Sequence, residues 1–113
     1  MCSQPVLNII TSEVVKAARE SLGDRLEKVI LYGSYARGDN DDESDIDIMI
    51  LANIPHEDCW KECMKISGLT GWLDLEYDVL VSLHVTDCAT FYQYINAMPF
   101  FMNVVKEGVE LSA

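Results

Sequence analysis

Between Ser12 and Leu22 the apolar residues Val14, Val15, Ala18 and Leu22 fall near one face of a 3.6-residue repeat. Ser12 can cap such a helix and Gly23 can end it, so the pattern predicts an amphipathic helix over those residues. The period changes at Leu26–Tyr32 (LEKVILY), a β-rich run that becomes apolar toward its end and stops at Gly33-Ser34. That predicts a buried strand running into a turn. After the polar, acidic stretch Gly38–Ser44 (GDNDDES), Asp45–Leu51 (DIDIMIL) starts with alternation and then turns wholly apolar, which predicts a second strand. Helical spacing returns from His56 to about Leu69 through Cys59, Trp60, Cys63, Met64 and Ile66, bounded by Pro55 and by Gly68 and Gly71. Glu76–His84 (EYDVLVSLH) alternates again: Asp78, Leu80, Ser82 and His84 share one face, and Tyr77, Val79, Val81 and Leu83 the other. This predicts strand three. A last helix is predicted from Asp87 to about Lys106, bent at Pro99 and ending near Gly108.

Helices interleaved with strands in 113 residues predict one α/β (α+β) domain spanning residues 1–113. Its expected core is a small mixed sheet of three or more strands with helices packed on it, the Asp45/Asp47 strand being central and facing an open cleft. Half of the residues are apolar, enough for a real core without metals or disulfides as staples.

Charge narrows the partners. Eight basic against 19 acidic side chains give a formal net charge of −11, which opposes the phosphate attraction on which long nucleic acids depend. Divalent cations and basic proteins suit such a surface better. Cys2, Cys59, Cys63 and Cys88 form no C-x-x-C pair, and no basic segment followed by an apolar run opens the chain, so a reducing cytoplasm is expected. No stretch approaches the roughly 18 apolar residues of a membrane span, so no membrane role is expected.

Gly33-Ser34 follows a strand, and Tyr35-Ala36-Arg37 can open a short helix whose backbone N–H groups would cradle phosphate. Alone, such a pair also reads as an ordinary turn. Asp45 and Asp47 stand two apart on the predicted strand, so their carboxylates project from one face and can share hard divalent cations. A solvated edge strand is the plainer reading of the pair. If strands two and three are neighbours, Asp78 can add a third carboxylate, with Asp74 and Glu76 as rivals. Arg37 can offset triphosphate charge or simply be a solvated helix-start residue.

Two further patterns fail on spacing or on company. The acidic run Asp39-Asn40-Asp41-Asp42-Glu43 invites an EF-hand reading, yet counting from Asp39 the turn glycine is Ser44 and the closing glutamate is Ile50. Counting from Asp41 those positions are Ile46 and Ala52. His56, Cys59 and Cys63 could line up for zinc on a helix, but without an evident fourth ligand a buried cysteine stripe is the preferred reading; the same restraint applies to His84. The aromatic and methionine residues from Phe91 to Met102 read mainly as core, with Tyr92, Phe100 and Met102 in excess of one helix face and therefore a candidate interface.

Taken together, GSYARGDNDDESDIDIMI resembles the nucleotidyltransferase superfamily that includes DNA polymerase β, aminoglycoside nucleotidyltransferases and the minimal MNT proteins. Its pattern of glycine-serine, ten residues and D-x-D is met by Gly33, Ser34, Asp45 and Asp47, with Ala36-Arg37-Gly38 and Ser44 matching common fillers. The resemblance implies a polymerase β-like fold in which Gly33, Ser34, Arg37 and Ser44 serve the nucleotide. It implies that Asp45, Asp47 and Asp78 are catalytic and bind two Mg2+ ions, with ATP or another nucleoside triphosphate as substrate. Similarity to the minimal MNT proteins further implies a HEPN-type toxin partner whose tyrosine hydroxyl receives AMP, since so short a chain is expected to find its acceptor on another protein or subunit, or by self-association. The alternatives are a non-catalytic antitoxin that covers its partner, and transfer to a small molecule of the aminoglycoside type.

Overall fold

The computed structural model describes residues 3–41 and 44–112; Cys2, Asp42 and Glu43 lie outside the described residues. Its elements are α1 (Gln4–Leu22), β1 (Leu26–Tyr32), α2 (Ser34–Arg37), β2 (Ile46–Ala52), α3 (Cys59–Thr70), α4 (Trp72–Tyr77), β3 (Val81–Asp87), α5 (Cys88–Tyr94), α6 (Pro99–Glu107) and β4 (Val109–Ser112). The sheet order is β3-β2-β1-β4. The β1/β2 and β1/β4 pairs are antiparallel, and β2/β3 is parallel. A mixed sheet carrying helices is therefore the architecture, as the pattern predicts, with β2 as a central strand.

Helix α1 starts well before Ser12. Ser3 caps it by accepting from the Val6 N–H at 3.4 Å, and Pro5 sits in the first turn, where its missing N–H leaves no bond unmade. Leu7 and Ile10 lengthen the buried stripe of Val14, Val15, Ala18 and Leu22. That stripe packs with Ile46, Ile48 and Ile50 of β2, Ile66 of α3 and Leu73 of α4 in one core. Met49 and Leu51 point to the opposite face and meet Ile30, Phe91, Phe101 and Val104 in a second core. Apolar residues on both faces explain why β2 loses its alternation after Asp47. Each such fully buried side chain contributes about 1.5–3 kcal/mol relative to an exposed one.

Three expectations are corrected. Strand three begins at Val81, not Glu76, because Trp72–Tyr77 forms a further helix that buries Leu73 completely. Asp78 ends that helix in the left-handed region (φ 52, ψ 53), a conformation aspartate tolerates, with its N–H bonded to the Asp74 carbonyl. The single last helix is two: Asp87 caps α5, and Pro99 opens α6 after a turn, since proline suits a first helical position and not a helix interior. Finally, residues after Gly108 form β4, which the helix-centred reading does not anticipate.

Candidate functional site

The backbone turns sharply where β1 ends. Gly33 adopts φ 77 and ψ −156, open to glycine and strained for any L side chain. Its carbonyl accepts the Ala36 and Arg37 N–H groups, both at 3.1 Å, to form the one-turn helix α2. Gly38 then closes that turn in the left-handed region, its N–H donating to the Ser34 carbonyl at 2.9 Å. Across the sheet, Asp47 is paired with Tyr32 on β1 and with Ser82 on β3. A Cβ built on Gly33 would collide with the Asp47 carboxylate. Strand pairing thus brings the Gly33-Ser34 turn and the D-x-D pair to one place.

Asp45 is exposed in the residue before β2, and Asp47 is half-buried on the strand itself. Burial, followed by the charge of Asp45, pushes the Asp47 carboxyl above the ordinary carboxylate range, while His84 and Arg37 pull it partly back. Among the described residues neither carboxylate is held in a salt bridge. Two mutually repelling oxygen donors with glycine beside them fit a hard cation such as magnesium, which would remove the repulsion.

The other sequence candidates are placed differently. Ser34 opens α2 beside this corner. Ser44 closes the preceding loop: its hydroxyl accepts the Asp41 N–H at 2.9 Å and donates to the Asp41 carboxylate at 3.2 Å. Arg37 pairs with Asp39 and with Glu107 of α6, both at 3.1 Å, and these acids raise its affinity for the proton. Asp78 is exposed at the end of α4, outside β3, and among the described residues the charges that shift Asp47 are those of Asp45, His84 and Arg37.

Cross-strand register adds two residues that the motif reading does not single out. Tyr32 stands directly opposite Asp47. His84 lies two positions beyond Ser82 on β3, and its ring centroid is 6.3 Å from that of Tyr32. Phe100 of α6 closes an aromatic trio at 5.5 Å from Tyr32 and 6.0 Å from His84. Burial, then the Asp47 charge, raises the Tyr32 phenol further above its ordinary range, so it remains a neutral donor. Period-2 alternation places Asp47 on one face, but only register names its neighbours.

The family model for a nucleotidyltransferase domain matches residues 12–107. A candidate protein adenylyltransferase of Methanocaldococcus jannaschii, MJ0604, is 36% identical over 96 residues, which cover 85% of this chain and 88% of the relative. A second from the same organism, MJ0141, is 44% identical over 73 residues, 65% of this chain and 72% of the relative. Among solved structures, a toxin–antitoxin crystal structure with AMP-PNP superposes with a TM-score of 0.55 at 21% identity, covering 91% of this chain and 73% of that one. That last likeness speaks for the fold.

Proposed function

Because this chain belongs to the nucleotidyltransferase domain family, we propose that it moves AMP from ATP to a hydroxyl group of a partner protein. The acceptor oxygen attacks the α-phosphorus, the bond to the β-phosphate bridging oxygen breaks, and pyrophosphate leaves as the hydroxyl proton passes to solvent or a nearby base. The observation that carries this reading is the apposition of Gly33, which opens the α2 turn, and the Asp47 carboxylate, which together bring the two halves of the motif to one corner.

In this reading Ser34 and the N–H groups that open α2 hold the triphosphate, and Arg37 exchanges its carboxylate partners for phosphate oxygens. Asp45 and Asp47 would hold magnesium, two ions in the full arrangement, and that metal supplies charge stabilisation for the attacking and leaving oxygens. Asp78, two residues before Leu80, whose carbonyl accepts the Ile46 N–H at 2.9 Å, is the candidate third carboxylate. Tyr32 keeps its proton and can donate to a phosphate or acceptor oxygen.

A protein acceptor is favoured by the relatives named as candidate protein adenylyltransferases and by the toxin–antitoxin neighbour. Tyr92, Phe100 and Met102 are 48, 42 and 47% exposed on α5 and α6, apolar side chains that a helical partner of the HEPN toxin type, whose tyrosine would take AMP, could cover. The test is incubation with Mg·ATP and the partner toxin, read by intact mass. An AMP adduct on a partner tyrosine, lost with Asp45→Asn/Asp47→Asn, is expected. Toxin neutralisation by that variant without any adduct would instead leave a binding antitoxin, and ATP consumed only with an aminoglycoside would move the acceptor to a small molecule.

A further inference from the structure

At the opposite end of β3 from Ser82, three side chains of different chemistry converge. His56 lies on the 3-10 turn before α3, Cys59 is the first residue of α3, and Asp87 ends β3. Their ligand atoms all lie within 4.8 Å of one another. The Asp87 carboxylate divides its work: Oδ2 accepts the Thr90 N–H at 2.9 Å and so caps α5, while Oδ1 takes both His56 Nδ1 at 2.9 Å and the Cys59 thiol at 3.7 Å. One oxygen thus receives two protons, from an imidazole and a thiol. Those are the protons that a bound transition ion displaces.

We infer that His56, Cys59 and Asp87 form a metal site for a single borderline divalent ion of the zinc class, separate from the carboxylate pair at Asp45 and Asp47. The donor set of one nitrogen, one sulfur and one oxygen suits zinc and is wrong for magnesium, which takes oxygen ligands. Tetrahedral zinc with bonds of about 2.0–2.3 Å sets its ligands about 3.3–3.8 Å apart, so the metal-free spacing needs only small adjustment. Position supports the same assignment. Asp87 is 3% exposed and fixed by its cap, whereas the His56 side chain is 78% exposed and held by a single contact with Asp87 that an ion would replace. An open cleft of about 320 Å3, lined by Trp60, Cys63 and His84 among others, reaches the cluster and leaves the fourth coordination position to water.

Cys63 does not belong to this set. Its thiol donates to the Leu83 carbonyl at 3.5 Å, so the third protein ligand is Asp87 from a distant part of the chain. Once loaded, the ion ties the start of α3 to the β3–α5 junction.

Cobalt(II) is the probe, because a thiolate ligand gives it a charge-transfer absorption and tetrahedral coordination intensifies its visible bands. Chelator-treated full-length protein titrated with cobalt should develop both with one equivalent, and zinc should bleach them. Cys59→Ser should abolish the charge-transfer band. His56→Ala should weaken binding by at least the roughly 10- to 100-fold that loss of a mere outer-shell partner costs. Asp45→Asn/Asp47→Asn should keep the spectrum, and far-UV circular dichroism should show each variant folded. No charge-transfer band in the native protein, its survival in Cys59→Ser, or its loss in Cys63→Ser or Asp45→Asn/Asp47→Asn would overturn the assignment.

Discussion

Gly33 lies against the Asp47 carboxylate so closely that a methyl group on its Cα would occupy the same space. The two residues are not neighbours in sequence; the β1/β2 register, which sets Tyr32 opposite Asp47, brings them together. One contact therefore couples the backbone turn to the Asp47 carboxylate.

Gly33→Ala should fail on two counts. A side chain at φ 77 and ψ −156 costs about 1–3 kcal/mol in backbone strain, and it also displaces Asp47. The expected outcome is a fall in stability of that order on urea unfolding, together with loss of Mg·ATP binding by calorimetry. Binding retained at native affinity would mean that the approach beside Asp47 is not where phosphate sits.

Asp47→Asn should trade function for stability. Because the folded protein raises the Asp47 carboxyl above its unfolded value, its ionised form opposes folding. The metal-free variant should thus melt at a higher temperature than the native chain at neutral pH. The advantage should fade as pH falls through the carboxylate range and Asp47 becomes protonated in the native protein too. Thermal melts across pH with a chelator present check this, and a lower melting temperature at pH 7 would contradict it.

Asp87 behaves in the opposite sense. Burial alone would push its carboxyl up, but hydrogen bonds from His56 and Thr90 prevail and hold it at about 2. It therefore contributes stability that is complete above the ordinary aspartate range and is lost as pH falls from near 4 toward 2. Asp87→Ala removes the α5 cap and should cost about 0.5–2 kcal/mol at neutral pH, with a flatter acid limb in the stability profile.

Arg37 is held by Asp39 and Glu107, so its use by a triphosphate requires exchange of partners. Glu107→Gln should tighten Mg·ATP binding, Arg37→Ala should weaken it, and neither should alter the melting temperature greatly because the pair is exposed. Unchanged calorimetric affinity in both variants would give Arg37 a role in the surface alone.

The local patterns carried much of this architecture. Leu26–Tyr32 is found with its expected bounds, and β2 is displaced by one residue from Asp45–Leu51, because each has a run of core residues that no competing signal interrupts. The stretch around Asp78 was less legible: Tyr77, Val79 and Val81 alternate as a strand would, but burial of Leu73 favours another helical turn first. The G-S and D-x-D segments were readable as local motifs, while the neighbours Tyr32, His84 and Phe100 depend on register and on the docking of α6, which period-2 and 3.6 patterns do not encode. Asp87 was hidden for a similar reason. It reads as an ordinary helix start, and its companions His56 and Cys59 are supplied by a separate segment.

Strand β4 gives β1 its second partner from far along the chain. Until Val109 and Glu110 pair with Leu31 and Ile30, the strand that leads into Gly33 has one open edge. Without β4, β1 would be an edge strand of a sheet ordered β3-β2-β1, and an open strand edge is a template for pairing with other chains. Glu107, the partner of Arg37, lies just before β4. The last pairing of the sheet and the anchoring of Arg37 thus both depend on one short segment, Glu107 to Ser112.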